Sequence, residues 1–207
     1  MRNDEVITKT AEMIKNKFLN EGSGHDWWHI WRVWQIAKRI SIEESADSFV
    51  VELGALLHDV ADWKENNGDT TVGGKVASEW LIKLGVDGKE VIKVVGIVDN
   101  VSFKGAGVTD KTDSLEGKIV QDADRLDAMG AIGIGRVFSY GGSKGRGMYD
   151  PESEIKNVTD FEQYKNAGQT SINHFYEKLL LLRDRMHTQT GKKLAQERHV
   201  YSNLKTK

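Results

Sequence analysis

Cysteine is absent from the 207 residues, so the chain has neither disulfides nor thiolate ligands, and any metal it holds must sit on nitrogen and oxygen. Proline occurs once, at Pro151, so very little in the sequence interrupts helix. No run approaches the ~20 apolar residues of a membrane span. The N-terminal MRNDEVITKTAEMIKNKF mixes charges with apolar residues and lacks the unbroken apolar core of a secretory signal. A cytoplasmic location without membrane contact is the expectation. A charge surplus is missing too: the formal net charge of -2 supplies no general attraction to nucleic acid or anionic lipid. With 39% hydrophobic and 29% charged residues, the composition is that of an ordinary globular chain long enough to bury a sizeable core.

What is present is apolar spacing of three and four residues almost everywhere, and this predicts an all-α fold. A first helix is expected over about 6–19, with Ile7, Ala11, Ile14 and Phe18 on one face, ended by EGSG. A second spans about 24–40, where His29, Val33, Ile36, Ala37 and Ile40 share an inward stripe. Trp27, Trp31 and Trp34 lie on a neighbouring stripe expected to pack on another helix. The third spans about 47–63, with Val51, Ala55, His58 and Asp62 together. KENNGDTTVGG reads as a loop, then come helices over about 76–84 and 88–101, and a second loop, FKGAGVTDKTDS. A long helix over about 115–140 carries a seam of Ile119, Ala123, Leu126, Gly130, Gly133 and Val137, which implies close packing or a break near Gly133 to Gly135. After the glycine-rich, charged stretch 141–160, helices are expected over about 170–187 and from Lys192 onward.

Against this apolar background a few polar residues stand out. His29 heads the inward stripe of the second helix, and His58-Asp59 ends the apolar run VVELGALLHDVADW, where an unpaired carboxylate is costly to bury. Asp122, Asp124 and Asp127 crowd one small-residue helix and call for a counter-ion or for solvent. A divalent cation answers all of these demands at once. Singly, each has an ordinary reading as a hydrogen-bonded core histidine or a chance dipeptide; the combination is what carries the inference.

Three segments, GHDWWHIWRVWQIA, LGALLHDVADWK and IVQDADRLDAMGAIG, resemble those bearing the first His, the His-Asp doublet and the last Asp of the HD-domain superfamily of metal-dependent phosphohydrolases. The similarity runs on through GMYDP and HFYEKLLLLRDRMHTQTGKKLAQERH, and is to bacterial HD-domain proteins regarded as nucleotide pyrophosphohydrolases. This resemblance implies an HD-domain helical bundle with a C-terminal helical extension. A single domain over 1–207 is expected, with its core at about 20–140 and C-terminal helices at about 160–207. It further implies His29, His58, Asp59 and Asp124 as ligands of one divalent ion, of Mn, Ni, Co, Fe or Mg type. Asp62 is implied as the catalytic residue that aligns or deprotonates water. Two-metal phosphodiesterases of the superfamily use extra histidines between the doublet and the last Asp; here none lies between His58 and His174, which favours a single ion.

His25 falls in the first segment but off the ligand position, so it reads as a group behind a ligand or on the substrate side, or as a solvated histidine at a helix start. For phosphate charge the candidates are Lys64, Lys104, Arg125, Lys144 and Arg146. Surface lysines need no such role, and Arg125 has a second reading as an ion pair with Asp122, Asp127 or another carboxylate. The expected substrate is a small nucleotide, and the leading activity is nucleoside triphosphate pyrophosphohydrolysis. The rivals are a nucleoside 5'-monophosphate phosphatase and a low-turnover nucleotide-binding sensor. Nucleic-acid binding through the basic stretch from Arg183 to Lys207 is not expected, because Asp184 and Glu197 interrupt it.

Overall fold

In a computed structural model, the structure describes residues 2–22, 24–61, 71–102, 108–153 and 170–202. Among them the regular elements are all helical. They are α1 (Asn3–Phe18), α2 (Trp27–Glu43), α3 (Ser48–Leu57), α4 (Val72–Lys83), α5 (Gly88–Asn100), α6 (Leu115–Asp127), α7 (Gly130–Ser143) and α8 (Ser171–Glu177), a 3₁₀ segment (Leu179–Arg185) and α9 (Gln189–Ser202). The expected all-α class holds, and no helix among the described residues is long and apolar enough to cross a membrane.

The core is organised around α3. Apart from Glu52, the residues from Phe49 to Leu57 are buried, as expected of a helix apolar on every side. It is packed by α1, α2, α5 and α6. Gly54 lets α5 and α6 come close: a Cβ there would lie 3.1 Å from Ile97 and 3.3 Å from Val120. Ile119, Val120, Ala123 and Leu126 of α6 and Val33, Ala37 and Ile40 of α2 complete the centre.

Several expected boundaries move. The second helix starts at Trp27, not near Gly24, because the Asp26 carboxylate caps it. The third ends at Leu57, which leaves His58 and Asp59 just beyond its last turn. Val72–Gly74, expected in a loop, open α4. The long helix expected over 115–140 is two helices, parted at Ala128 and Met129, with Gly130 at φ +71° making the turn. The stretch 170–187 is α8 followed by 3₁₀ turns. The indole row also divides: Trp27 is buried and Trp34 donates from Nε1 to Glu52 at 2.8 Å, but Trp31 is 40% exposed. Trp31 thus corrects the expectation that all three pack on another helix.

Candidate metal centre

His29, His58 and Asp59 sit at the ends of helices that the core holds in place, and Asp124 lies in the last turn of α6. His29 is in the first turn of α2, where its backbone N–H donates to the capping Asp26 carboxylate at 2.8 Å. Its side chain points inward and is completely buried. His29 Nδ1 donates to Asp127 Oδ2 at 2.8 Å, which turns Nε2 toward the interior of the site. His58, also buried, donates from Nδ1 to the Ala55 carbonyl at 2.8 Å. A carbonyl only accepts, so the proton sits on Nδ1 and the His58 Nε2 lone pair is exposed to the site.

The three aspartates of α6 diverge, which resolves their crowding. Asp122 is buried and accepts from the backbone N–H of His187 and of Thr188 and from the Thr188 hydroxyl, at 2.7–3.2 Å. Asp127 lies under the His29 ring and is clamped by Arg32 at 2.7 Å and Arg136 at 3.2 Å. Asp124 alone faces the two imidazoles.

Four donor atoms meet in one place. His29 Nε2 lies 3.3 Å from His58 Nε2, 3.4 Å from Asp59 Oδ2 and 3.5 Å from Asp124 Oδ1. His58 Nε2 lies 3.5 Å from Asp59 Oδ2 and 3.9 Å from Asp124 Oδ1. Ligands bound at ~2.0–2.2 Å to one small ion stand roughly 3.0–3.5 Å from each other. Four of the five spacings match that shell, and His58 Nε2 to Asp124 Oδ1, at 3.9 Å, lies wider. Two ring nitrogens with their outer N–H groups already donated, facing each other between two carboxylates, need a positive centre to relieve their lone-pair repulsion.

The protonation equilibria agree. Burial and the Arg136 charge oppose a charged His29, but its hydrogen bonds to Asp127 and Asp59 outweigh them and raise its pKa above the ordinary imidazole value. Burial likewise opposes a charged Asp59, yet His58, His25 and His29 hold its carboxyl well below the usual range. The pocket draws a proton where a cation fits.

Residues 27–129 match the HD domain. YpgQ of Bacillus subtilis is 40% identical over 200 residues, covering 93% of this chain and 88% of its own. The crystal structure of an HD-superfamily hydrolase from Bacillus thuringiensis superposes with a TM-score of 0.72 at 43% identity, covering 97% of this chain and 93% of that one. The chain belongs to the HD-domain superfamily. A Lactobacillus plantarum protein superposes with a TM-score of 0.85 at 34% identity, covering 97% and 92% of the two chains. The crystal structure of YpgQ in complex with ADP gives 0.70 at 35% identity, covering 97% and 91%. This HD protein is therefore an enzyme of the metal-dependent phosphohydrolase superfamily, and among the described residues the His/Asp cluster could hold a divalent ion.

The remaining candidates separate around this HD centre. His25 lies on its open side, with Nδ1 3.0 Å from Asp59 Oδ2 and its ring edge-on to His29 at 5.7 Å. The three residues His25, His29 and Asp59 can themselves hold a metal, as can His29, His58 and Asp124. Lys144 and Arg146 join through Tyr140: their cationic groups stand 5.8 and 5.9 Å from its ring, and Tyr140 meets His25 edge-on at 5.7 Å. Arg125 does not point to the centre. It is 3% exposed, donates from Nη2 to Asp110 at 2.7 Å and from Nη1 to the Arg185 carbonyl, so the ion-pair reading describes its geometry. Asp62, Lys64 and Lys104 lie outside the described residues.

Sequence reasoning missed Tyr140 and the clamp of Arg32 and Arg136 on Asp127. Arg32 is far from Asp127 in the chain and Arg136 lies across the α6–α7 turn, and only the crowding of α6 by acidic residues signalled that cations were needed there.

Proposed function

We propose that the protein hydrolyses a phosphoanhydride of a nucleotide, as a nucleoside triphosphate pyrophosphohydrolase, at one divalent ion held by His29, His58, Asp59 and Asp124. The observation that supports the proposal is the approach of the Asp59 and Asp124 carboxylates to within 3.4–3.9 Å of the paired His29 and His58 Nε2 atoms, beside an open face edged by His25, Tyr140, Lys144 and Arg146. The relative YpgQ has been crystallised with ADP, which supports a nucleotide as the class of ligand.

When bound, the ion polarises a phosphoryl oxygen and acidifies its water, which in favourable zinc sites falls from 15.7 to about 7. The protein groups do the rest. Asp127 holds His29 in the tautomer that offers Nε2, and Ala55 does so for His58. Lys144 and Arg146 neutralise substrate phosphate on the side of Tyr140. Asp62, by the family resemblance, aligns the attacking water and receives its proton. Water adds to phosphorus, the α–β anhydride bond breaks, and a monophosphate and pyrophosphate leave. The ion is of Mn, Ni, Co, Fe or Mg type, since imidazole and carboxylate ligation suits each.

A nucleotide panel against several divalent ions, with every product identified, tests this. The expected products are pyrophosphate and a monophosphate from a triphosphate, abolished by chelator. His58→Ala should lose metal and turnover together, whereas Asp62→Asn should keep the ion and lose roughly 10²–10⁴-fold in rate. Orthophosphate released from a monophosphate would replace the reading with a 5'-phosphatase, and tight binding without product would replace it with a sensor.

A further inference from the structure

Behind His29, on the side away from its Nε2, lies a cavity of about 360 Å³. It is an open groove bordered by α2, the first turn of α7 and α9, and none of the four proposed metal ligands lines it. Trp31, Arg32, Asp127, Ile132 and Arg198 form its chemically distinct walls. The size falls at the lower end of small-molecule sites, ~300–1,000 Å³.

The charge balance there is positive. Asp127 is the only carboxylate among the lining residues, and it is shared by Arg32, Arg136 and the Nδ1–H of His29. Arg198 packs over Gly130 and donates to the Leu126 carbonyl, a neutral partner. Burial and the neighbouring Arg32 and Arg39 lower the pKa of Arg198, against the opposite pull of Asp127 and Glu197. In the same lining, Trp31 keeps 40% and Ile132 54% of its surface exposed, so apolar surface accompanies the cationic groups.

We infer that this cavity is a second ligand site, distinct from the HD centre, for a small phosphate monoester carrying a flat ring. Arg198 takes the phosphate, since the Nε and Nη2 groups of Arg32 are already donated to Asp127, and the ring lies against Trp31. The inference does not depend on the proposed nucleotide hydrolysis, because the site needs neither metal nor turnover.

The test uses the full chain with EDTA present and AMP as the probe, with the indole N–H resonances of the six tryptophans as the readout. Trp31 is assigned with Trp31→Phe. AMP should shift the Trp31 resonance saturably, and adenosine or inorganic phosphate alone should bind at least ten-fold more weakly. Arg198→Gln should weaken AMP at least ten-fold, Arg198→Lys should restore part of it, and Asp124→Ala should leave it in place. Trp31→Ala, at an exposed position, should show the same loss by calorimetry. No saturable shift at Trp31, a shift unaltered by Arg198→Gln, or one abolished by Asp124→Ala would overturn the site.

Discussion

Within one stretch of α6, three aspartates take three roles: Asp122 ties down the C-terminal segment, Asp124 faces the imidazoles and Asp127 supports His29 from behind. Their side chains differ in nothing but position, so helical phase and neighbouring elements assign the roles. Asp127→Asn should lower divalent-ion affinity by roughly 10–100-fold, read by titration calorimetry, because it weakens the acceptor that orients His29. Proton competition gives a second reading. The raised pKa of His29 means that metal-free protein binds a proton where the ion goes. Apparent metal affinity should therefore fall about ten-fold per pH unit below that pKa for each proton displaced. For Asp110 the direction reverses. Burial opposes its charge, but His187, Arg125 and Arg185 hold its carboxyl below the ordinary carboxylate range. Its stabilisation is complete above the unfolded-state value of about 3.9 and is lost as pH falls through the folded value. In urea titrations Asp110→Asn should be less stable by about 1.5–3 kcal/mol at pH 7, and the difference from wild type should shrink below pH ~4.

At the scale of elements, apolar spacing located α5 and the start of α6 closely and α1 and α2 to within three residues, because burial follows the 3.6-residue period wherever one face meets the core. It failed at the α6–α7 junction. Ile119, Ala123 and Leu126 continue in helical phase into Gly130, and nothing local distinguishes a helical glycine from one at φ +71°. Just past that turn, Gly133 sits against the preceding helix, where an added Cβ would overlap the Ala128 carbonyl. Gly133→Ala should therefore destabilise by about 1–3 kcal/mol. Thermal melts should drop by roughly 2–4 °C per kcal/mol. Gly135, two residues on, has nothing within 4 Å of its Cβ position, so Gly135→Ala should stabilise by about 0.5–1 kcal/mol through helix propensity alone. The same two melts thus separate packing from propensity.

At the scale of the whole molecule, the HD centre joins elements that the sequence keeps far apart. α2 brings His29, the end of α3 brings His58 and Asp59, and α6 brings Asp124, while α9 packs on α6 and α7 from the far side. An ion bound across three elements binds the folded state and not the unfolded chain. Saturation at 100 times the dissociation constant adds about 2.7 kcal/mol. Chelation should accordingly lower the melting temperature by roughly 5–10 °C. Asp124→Ala should abolish that difference while keeping a cooperative melt, since Asp124 is not buried in the core.

By itself the sequence determined the helical class, the central apolar helix and the presence of His29, His58, Asp59 and Asp124 as possible donors, because side-chain chemistry and helical period are local properties. The family resemblance rested on those same short segments. Only the tertiary structure decided that Arg125 pairs with Asp110, that Arg32 and Arg136 close on Asp127, that Tyr140 links two cations to His25, and that Trp31 faces a cavity. Each of those depends on which distant residue arrives opposite, and electrostatic pairing carries no periodicity along the chain to announce it.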